Sequence, residues 1–449
     1  MPAFRANVYA GILFATLFWF ALHRWWAVAP AWTVPALVGL GMAHVVRLRA
    51  LPYVLPVPVV MAALLPAGPL WPGVAAAAVL PGLTALAAMR LRLLPLATVA
   101  LILLGFAAQA WRQPKLDAEL AAKPAPESYS YDPYIYLRTH HLMREGRGYY
   151  EAFAAANVDD ARLDRPPASV LGWRLPTVAW LWRLAGLRAA FVAFAMAAVV
   201  LAFLVAREVS GAGFAQLPAA LVCGCEWSGA SSTRLLFHEY WALPLALGAA
   251  LLFLQGRVRT AAALSAFVPL VREVFVFPLA AGAAVEHRKP APWIIAGACA
   301  LALYAAHALA VRAVVPDAGF GAGHLQGGGV RLVTASLEFS WLATTGSRWY
   351  IGGLCLLGIA GLARVTPVRS RAYLLALAVL PPLLFLVWGN RWQSYWGLAY
   401  TPFAILGLAP LLAWVEGLGG QSHVSRCTYH VVDFNSLLSL RRDPQEAQL

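Results

Sequence analysis

The sequence has 449 residues, of which 61% are hydrophobic and only 12% are charged, whereas a soluble globular protein has about 25% charged residues. One water-soluble core cannot bury so much apolar sequence, which excludes a soluble enzyme, a nucleic-acid-binding domain and a secreted disulfide scaffold. The net charge of +14 does not indicate a nucleic-acid partner, because Lys and Arg cluster between the apolar runs, as in the cytoplasmic loops of membrane proteins.

The apolar runs predict the membrane spans, each of which needs about 20 predominantly apolar residues. Before Trp111 there are about five runs, at 8–22, 28–45, 51–67, 72–89 and 93–111. Segment 170–186 is broken by Arg and Pro and predicts an interfacial helix. The later runs are 188–207, 213–226, 237–254, 259–271, 273–285, 291–313, 348–363, 371–388 and 396–415. The expected fold class is therefore all-α, a polytopic transmembrane helical bundle of about 12–14 spans.

The basic residues predict the orientation of these spans, because short cytoplasmic loops carry the excess of Lys and Arg. Loops 112–167 and 314–347 are then extracytoplasmic. Splitting the apolar stretch before Arg288 into two short spans keeps Arg288 cytoplasmic and places Arg272-Glu273 at an outer turn. We divide the chain into a transmembrane module at 1–92 with about four spans, a main region at 93–415 and a polar cytoplasmic tail at 416–449.

The loop 112–167 is the most acidic part of the chain and holds nine of the 20 Asp and Glu residues. Loops longer than about 12–15 residues are usually functional. Within it, Tyr134, Leu137, His141 and Met143-Arg144 predict a short amphipathic helix on the membrane surface. Because charges at membrane depth are costly, those that do not mark a loop are hypotheses of function.

Three short segments of this loop carry a family resemblance. They are Tyr131-Asp132-Pro133-Tyr134-Ile135-Tyr136, the Gly-aromatic stretch Gly146 to Phe153, and Arg165-Pro166-Pro167. Together they resemble the first extracytoplasmic loop of the C-type (GT-C) integral membrane glycosyltransferases, which include bacterial mannosyl- and arabinosyltransferases that use polyprenyl-phosphate sugars. The resemblance continues at Phe237-His238-Glu239, Val271-Arg272-Glu273 and Arg391 to Pro402, and covers roughly residues 93–415. Family members commonly have one span before the acidic loop, whereas this chain has about five.

The resemblance implies an enzyme of a bacterial inner membrane that moves a sugar from a polyprenyl phosphate to a glycan, lipid or protein acceptor on the extracytoplasmic face, with inversion. Asp132 is the expected general base, since a carboxylate within hydrogen-bond reach of the acceptor can take its proton. Arg272, Arg331 and Arg391 are the expected ligands of the donor phosphate. Further candidates for the substrate site are Glu239, Glu273, His324 and Tyr395. No cofactor is expected, and no second acid beside Asp132 supports a divalent metal.

Structural interpretations stand beside each of these roles. Asp132 before Pro133 also resembles a helix N-cap with Pro at the first helical position. Glu239 and Glu273 could pair with Arg234 and Arg272 to anchor helix ends, and His324 could fill a Gly-rich loop. At the level of the whole protein, the alternatives are a secondary transporter, which carries its charges on broken helices near the midplane, or a lipid-linked glycan flippase or polymerase.

Overall fold

The computed structural model describes much of the chain from residue 99 onward. The described residues are 99–100, 103–104, 106–107, 110–111, 113–121, 131–158, 167–230, 232–320, 327–338, 348–389 and 393–419. The predicted spans at 8–22, 28–45, 51–67 and 72–89 lie outside them, as does residue 420 onward in the predicted tail.

The described residues are helical and contain no strand beyond one isolated bridge between Ser169 and Gly319. The α-helices are α1 (Pro114–Ala121), α2 (Tyr131–Arg144), α3 (Tyr149–Val158), α4 (Thr177–Ala185), α5 (Leu187–Ser210), α6 (Ala212–Ala230), α7 (His238–Leu254), α8 (Val258–Val271), α9 (Phe277–Val285), α10 (Ala291–Val314), α11 (Gly329–Glu338), α12 (Arg348–Leu362), α13 (Val368–Val387), α14 (Thr401–Leu406) and α15 (Leu408–Gly419). Short 3-10 helices lie at Val170–Gly172, Thr233–Leu236, Glu273–Phe275 and Ser394–Ala399.

Four helical segments of the described region are long and apolar enough to cross a membrane: Leu187–Ser210, Ala291–Val314, Val368–Val387 and Ser394–Val415. Shorter apolar helices lie at Phe214–Glu226, His238–Leu254, Val258–Val271, Glu273–Val285 and Ile351–Leu362. These segments coincide with the runs predicted after residue 187, which confirms an all-helical chain with candidate membrane spans. The total of 12–14 spans stays a prediction.

The described parts of the acidic loop form the helices α1, α2 and α3, and α2 is the helix that the sequence predicts after Asp132. The apolar side chains of α2 are covered by protein, with Leu137, Leu142 and Met143 no more than 1% exposed, because α2 packs on α3 and α4. Its apolar face is therefore buried in the protein and does not lie open on the membrane surface. Helix α11 lies within the predicted loop 314–347 and was not anticipated.

The predicted orientation can be checked at two exposed positions. In a cysteine-free background, Glu151→Cys on α3 and Lys289→Cys before α10 are expected to face opposite sides of the membrane, because loop 112–167 and the basic turn at 287–289 fall on opposite sides of the charge pattern. A membrane-impermeant maleimide should label Glu151→Cys in intact cells and Lys289→Cys only after permeabilisation. Labelling of both from one side contradicts the orientation.

Glycines bring the backbones of α12 and the α14–α15 region into direct contact. A Cβ atom placed on Gly358 overlaps the carbonyl oxygen of Ala404, and one on Gly361 overlaps that of Gly407. The reciprocal contact, from Gly407 to the Gly358 carbonyl, is equally close. Small residues commonly permit such approaches between membrane helices.

We expect Gly358→Ala to destabilise the protein, because overpacking a tight contact costs about 1–3 kcal/mol. The measurement is the thermal unfolding midpoint in detergent. Gly353→Ala is the matched control on the same helix, since a Cβ there meets nothing within 4 Å, and it should hold or raise the midpoint because Ala favours helices over Gly. Equal effects of the two variants contradict a specific contact at Gly358.

Candidate functional site

Two arginines and two glutamates form an ion network between the helices, and all but the partly exposed Glu273 are buried. Glu273 Oε1 lies 2.9 Å from Nη1 of Arg174 and 2.5 Å from Nη1 of Arg272, so one oxygen accepts from both guanidinium groups. Nε of Arg272 donates to Oε1 of Glu239. Arg272 and Glu239 are each only 1% exposed. Buried charges of this kind are tolerated when they are paired, and the four formal charges cancel.

The network forms where apolar segments end. Helix α8 stops at Val271, Arg272 adopts an extended backbone, and the 3-10 helix from Glu273 separates α8 from α9. Glu239 lies in the first turn of α7. Arg174 follows the 3-10 helix Val170–Gly172 and precedes α4. Three separate interruptions of the apolar pattern therefore converge on one place.

Helix α2 presents Asp132 and Tyr136 to this network. The two residues are four positions apart and so share one face of the helix. The Tyr136 hydroxyl oxygen accepts a hydrogen bond of 3.0 Å from Nε of Arg174. Burial raises the pKa of Tyr136, so the phenol stays protonated. Asp132 Oδ2 accepts a hydrogen bond of 2.9 Å from the Tyr395 hydroxyl.

Tyr395 links Asp132 to the arginines. Its ring centroid lies 5.7 Å from the guanidinium carbon of Arg272, within the range of about 6 Å for a cation–π contact. The ring also stacks on Phe237 at 4.7 Å, directly before α7. The 3-10 helix that carries Tyr395 packs on α7 and α11. The first and the last motif of the family resemblance therefore meet.

Asp132 differs from the other carboxylates of the cluster. Glu239 and Glu273 are each ion-paired with arginine, whereas Asp132 is half-buried and forms no ion pair with any residue that the structure describes; its hydrogen-bond partner is a neutral phenol. Asp132 is therefore the carboxylate of this cluster that is available as a candidate general base.

The predicted site residues divide into three groups. Asp132, Glu239, Arg272, Glu273 and Tyr395 lie together. Arg331 is exposed on α11, and no contact joins it to the ion network within the described ranges. His324 and Arg391 lie outside the described residues. The pairing of Glu239 differs from the anticipated one, since its partner is Arg272 in place of Arg234.

Arg174 is not among the site residues that the sequence predicts, because it lies in the segment 170–186, where it indicates only a break in an interfacial helix. The sequence interpretation also missed a polar group on α10, where the Tyr150 hydroxyl lies 3.0 Å from Nδ1 of His307 and the ring of Tyr304 lies 5.6 Å from that of His307. Polar side chains inside a long apolar run were the available signal.

Two further observations bear on the site: the search for metal-binding groups and the comparison with known proteins. Across the described ranges, no group of three or more His, Cys, Asp or Glu side chains is placed to hold a metal ion. No model of a protein family, no curated protein and no solved structure matches this chain.

His140 on α2 is expected to make stability depend on pH. Burial, together with the nearby His141 and Arg144, lowers the pKa of His140 from 6.5 to about 4. Because the folded pKa lies below the unfolded one, this contribution to stability is complete above about pH 6.5 and is lost as the pH falls towards 4.

Unfolding midpoints measured from pH 7.5 to 4 should fall less steeply for His140→Gln than for the unchanged protein. Leu142→Ala is the control, since it removes a buried side chain on the same helix without removing a titrating group, and its curve should run parallel to that of the unchanged protein. A parallel curve for His140→Gln as well contradicts the role of His140.

Proposed function

We propose that this chain is a membrane glycosyltransferase that transfers a sugar from a polyprenyl-phosphate donor to an acceptor hydroxyl on the extracytoplasmic face. The observation that supports this most directly is the position of Asp132. It is a half-buried carboxylate without an arginine partner among the described residues, and it lies beside a cluster that contains two buried guanidinium groups. A base and cations side by side are what transfer from a phosphate leaving group requires.

In the proposed reaction, Asp132 accepts the proton of the acceptor hydroxyl while the acceptor oxygen bonds to the anomeric carbon of the donor sugar. The bond from that carbon to the phosphate oxygen breaks, and its electron pair leaves with the polyprenyl phosphate. Attack from the side opposite the leaving group inverts the anomeric centre. The Tyr395 hydroxyl holds Asp132 in place by its hydrogen bond.

Arg272 is the donor-phosphate ligand that the geometry favours. Its Nε and Nη1 atoms donate hydrogen bonds to Glu239 and Glu273. Its Nη2 atom has no hydrogen-bond partner within the described part of the chain. Guanidinium groups can bind carboxylate and phosphate oxygens at the same time, because their five N–H donors point in several directions. Arg331, which lies on α11, and Arg391, which lies outside the described residues, stay candidates from the sequence for further phosphate contacts.

The test is transfer by the purified protein in liposomes. Polyprenyl-phosphate sugars with different radiolabelled sugars are supplied together with extracts of lipid, glycan and protein acceptors. We expect label from one donor to enter an acceptor fraction, and the same sugars on nucleotides to give no transfer. Absence of transfer from the whole donor panel, with the protein folded, contradicts the proposal.

A secondary transporter is the second candidate, and one observation favours it. The α8–α9 pair is a discontinuous apolar segment whose break carries charged residues, and transporters place substrate sites at such breaks. The same liposomes distinguish the candidates: a transporter accumulates a labelled solute under an ion gradient and leaves polyprenyl-phosphate sugars intact.

A further inference from the structure

We propose that a groove between α8 and α10 binds an anionic phospholipid. This groove has a volume of about 660 Å³. Its apolar wall includes Ala263, Ala266, Phe267, Ile295, Ala300 and Leu303. Phe267 and Ile295 are 56% and 64% exposed, so the groove opens outward. Helix α10 is long and apolar enough to cross a membrane, so in this proposal the groove faces lipid.

One end of the groove is positively charged. Arg259 lines the groove beside Ala291 and Pro292, where α8 and α10 begin. Arg257, Arg288 and Lys289 precede these same helix starts and are exposed. Glu286, the acidic residue just before Arg288 and Lys289, forms an ion pair with Arg369. An anionic head group therefore meets several cations here, and basic pockets between membrane helices are known to bind such groups.

The length of the groove fits one leaflet. From Arg259 to Leu270, the limits of the α8 wall, a helix rises about 16 Å. The hydrocarbon core of a bilayer is about 30 Å thick, so the wall covers about half of it. An acyl chain of a phospholipid in the leaflet on the Arg259 side spans this distance when its phosphate lies at the arginine. A neutral or zwitterionic lipid fits the apolar wall equally well but gains less from the cations.

The proposal is independent of the sugar-transfer proposal and is tested by lipid retention. The full-length protein in detergent is mixed with equal amounts of phosphatidylglycerol and phosphatidylcholine that have the same acyl chains, and the bound lipids are counted by native mass spectrometry. We expect phosphatidylglycerol to be retained about fivefold over phosphatidylcholine, as for about one favourable contact with a basic residue.

Two variants and two matched controls locate the effect. Arg259→Gln should reduce the preference, because Arg259 is the cation that lines the groove, and Ala263→Trp should reduce retention of both lipids by filling the groove. Arg207→Gln changes an exposed arginine at the end of α5, and Ala302→Trp adds an indole on an exposed part of α10 that does not line the groove; both should behave like the unchanged protein. All four positions are exposed, so we expect the four variants to fold like the unchanged protein.

Cys299 gives an independent readout, because it lines the groove and is exposed, whereas Cys223, Cys225 and Cys355 are buried. In a Cys427→Ser background, phosphatidylglycerol should slow alkylation of Cys299 by N-ethylmaleimide more than phosphatidylcholine does, and inorganic phosphate should not slow it. Equal retention of the two lipids, an unchanged preference in Arg259→Gln, or no protection of Cys299 each overturns the proposal.

Discussion

Replacing Asp132 by Asn is expected to abolish sugar transfer while leaving the protein folded. The substitution preserves size and can still accept a hydrogen bond from the Tyr395 hydroxyl, which lies 2.9 Å from the carboxylate. It removes the proposed general base, a role typically worth about 10²–10⁴-fold in rate. Because Asp132 has no ion-pair partner among the described residues, no arginine is left unpaired.

The measurement is the initial rate of transfer in liposomes at saturating donor, with the unfolding midpoint measured on the same preparation. Tyr395→Phe is the companion variant, since it removes the hydroxyl that positions Asp132 but keeps the ring beside Arg272. We expect it to lower the rate by a smaller factor and to leave donor KM nearly unchanged. An Asp132→Asn protein that keeps most of its activity removes Asp132 from the mechanism.

Replacing Arg272 by Ala is expected to reduce the amount of folded protein. The substitution leaves Glu239 buried at 1% exposure without its cation, and breaking a buried ion pair in this way costs about 3–5 kcal/mol. Arg272→Lys should recover part of the stability, because an ammonium group keeps the charge but cannot reproduce the fork that serves Glu239 and Glu273. The measurement is the folded yield in detergent and the unfolding midpoint.

The double variant Arg272→Met with Glu239→Gln separates stability from function. It removes one positive and one negative charge together, and Arg174 remains paired with Glu273. Because no buried charge is then left without its partner, which is the larger cost of breaking such a pair, part of the folded yield should return. If Arg272 also binds the donor phosphate, the folded double variant has a donor KM raised at least about tenfold, the effect of losing one charge-assisted hydrogen bond. An unchanged donor KM assigns Arg272 to structure alone.

The positions of the apolar helices were predictable from the sequence, because a long apolar run has few alternatives to a buried or membrane helix. The break at Arg272-Glu273 was predictable for the same reason, since two charges interrupt such a run. Helix α11 was not predicted: Gly329–Glu338 mixes polar and apolar residues over only ten positions, and its Gly-rich approach resembles a loop.

The candidate site was predictable only in part. The sequence offers both Asp132 and Tyr395 as candidates, but not the hydrogen bond between them, because the two residues are 263 positions apart in the chain. Arg174 and Glu273 are 99 positions apart, and no spacing rule connects residues that meet only in the folded bundle. Glu239 could pair with Arg234 or with Arg272. Tertiary packing at the ends of α7 and α8 decides between them, and the observed partner is Arg272.

The glycine contacts have a consequence for genetics. Tyr395 lies on the 3-10 helix Ser394–Ala399, where a Cβ atom on Gly397 overlaps the carbonyl oxygen of Ser336 in α11. The Ser336 hydroxyl lies 2.8 Å from that of Tyr400, just beyond this 3-10 helix. A side chain introduced at Gly397 must displace the segment that holds Asp132 in position. A genetic screen for inactive variants should therefore recover substitutions at Gly397 as well as at Asp132, although Gly397 carries no reactive group. The amount of folded protein distinguishes them, since it should fall for Gly397 variants and not for Asp132→Asn.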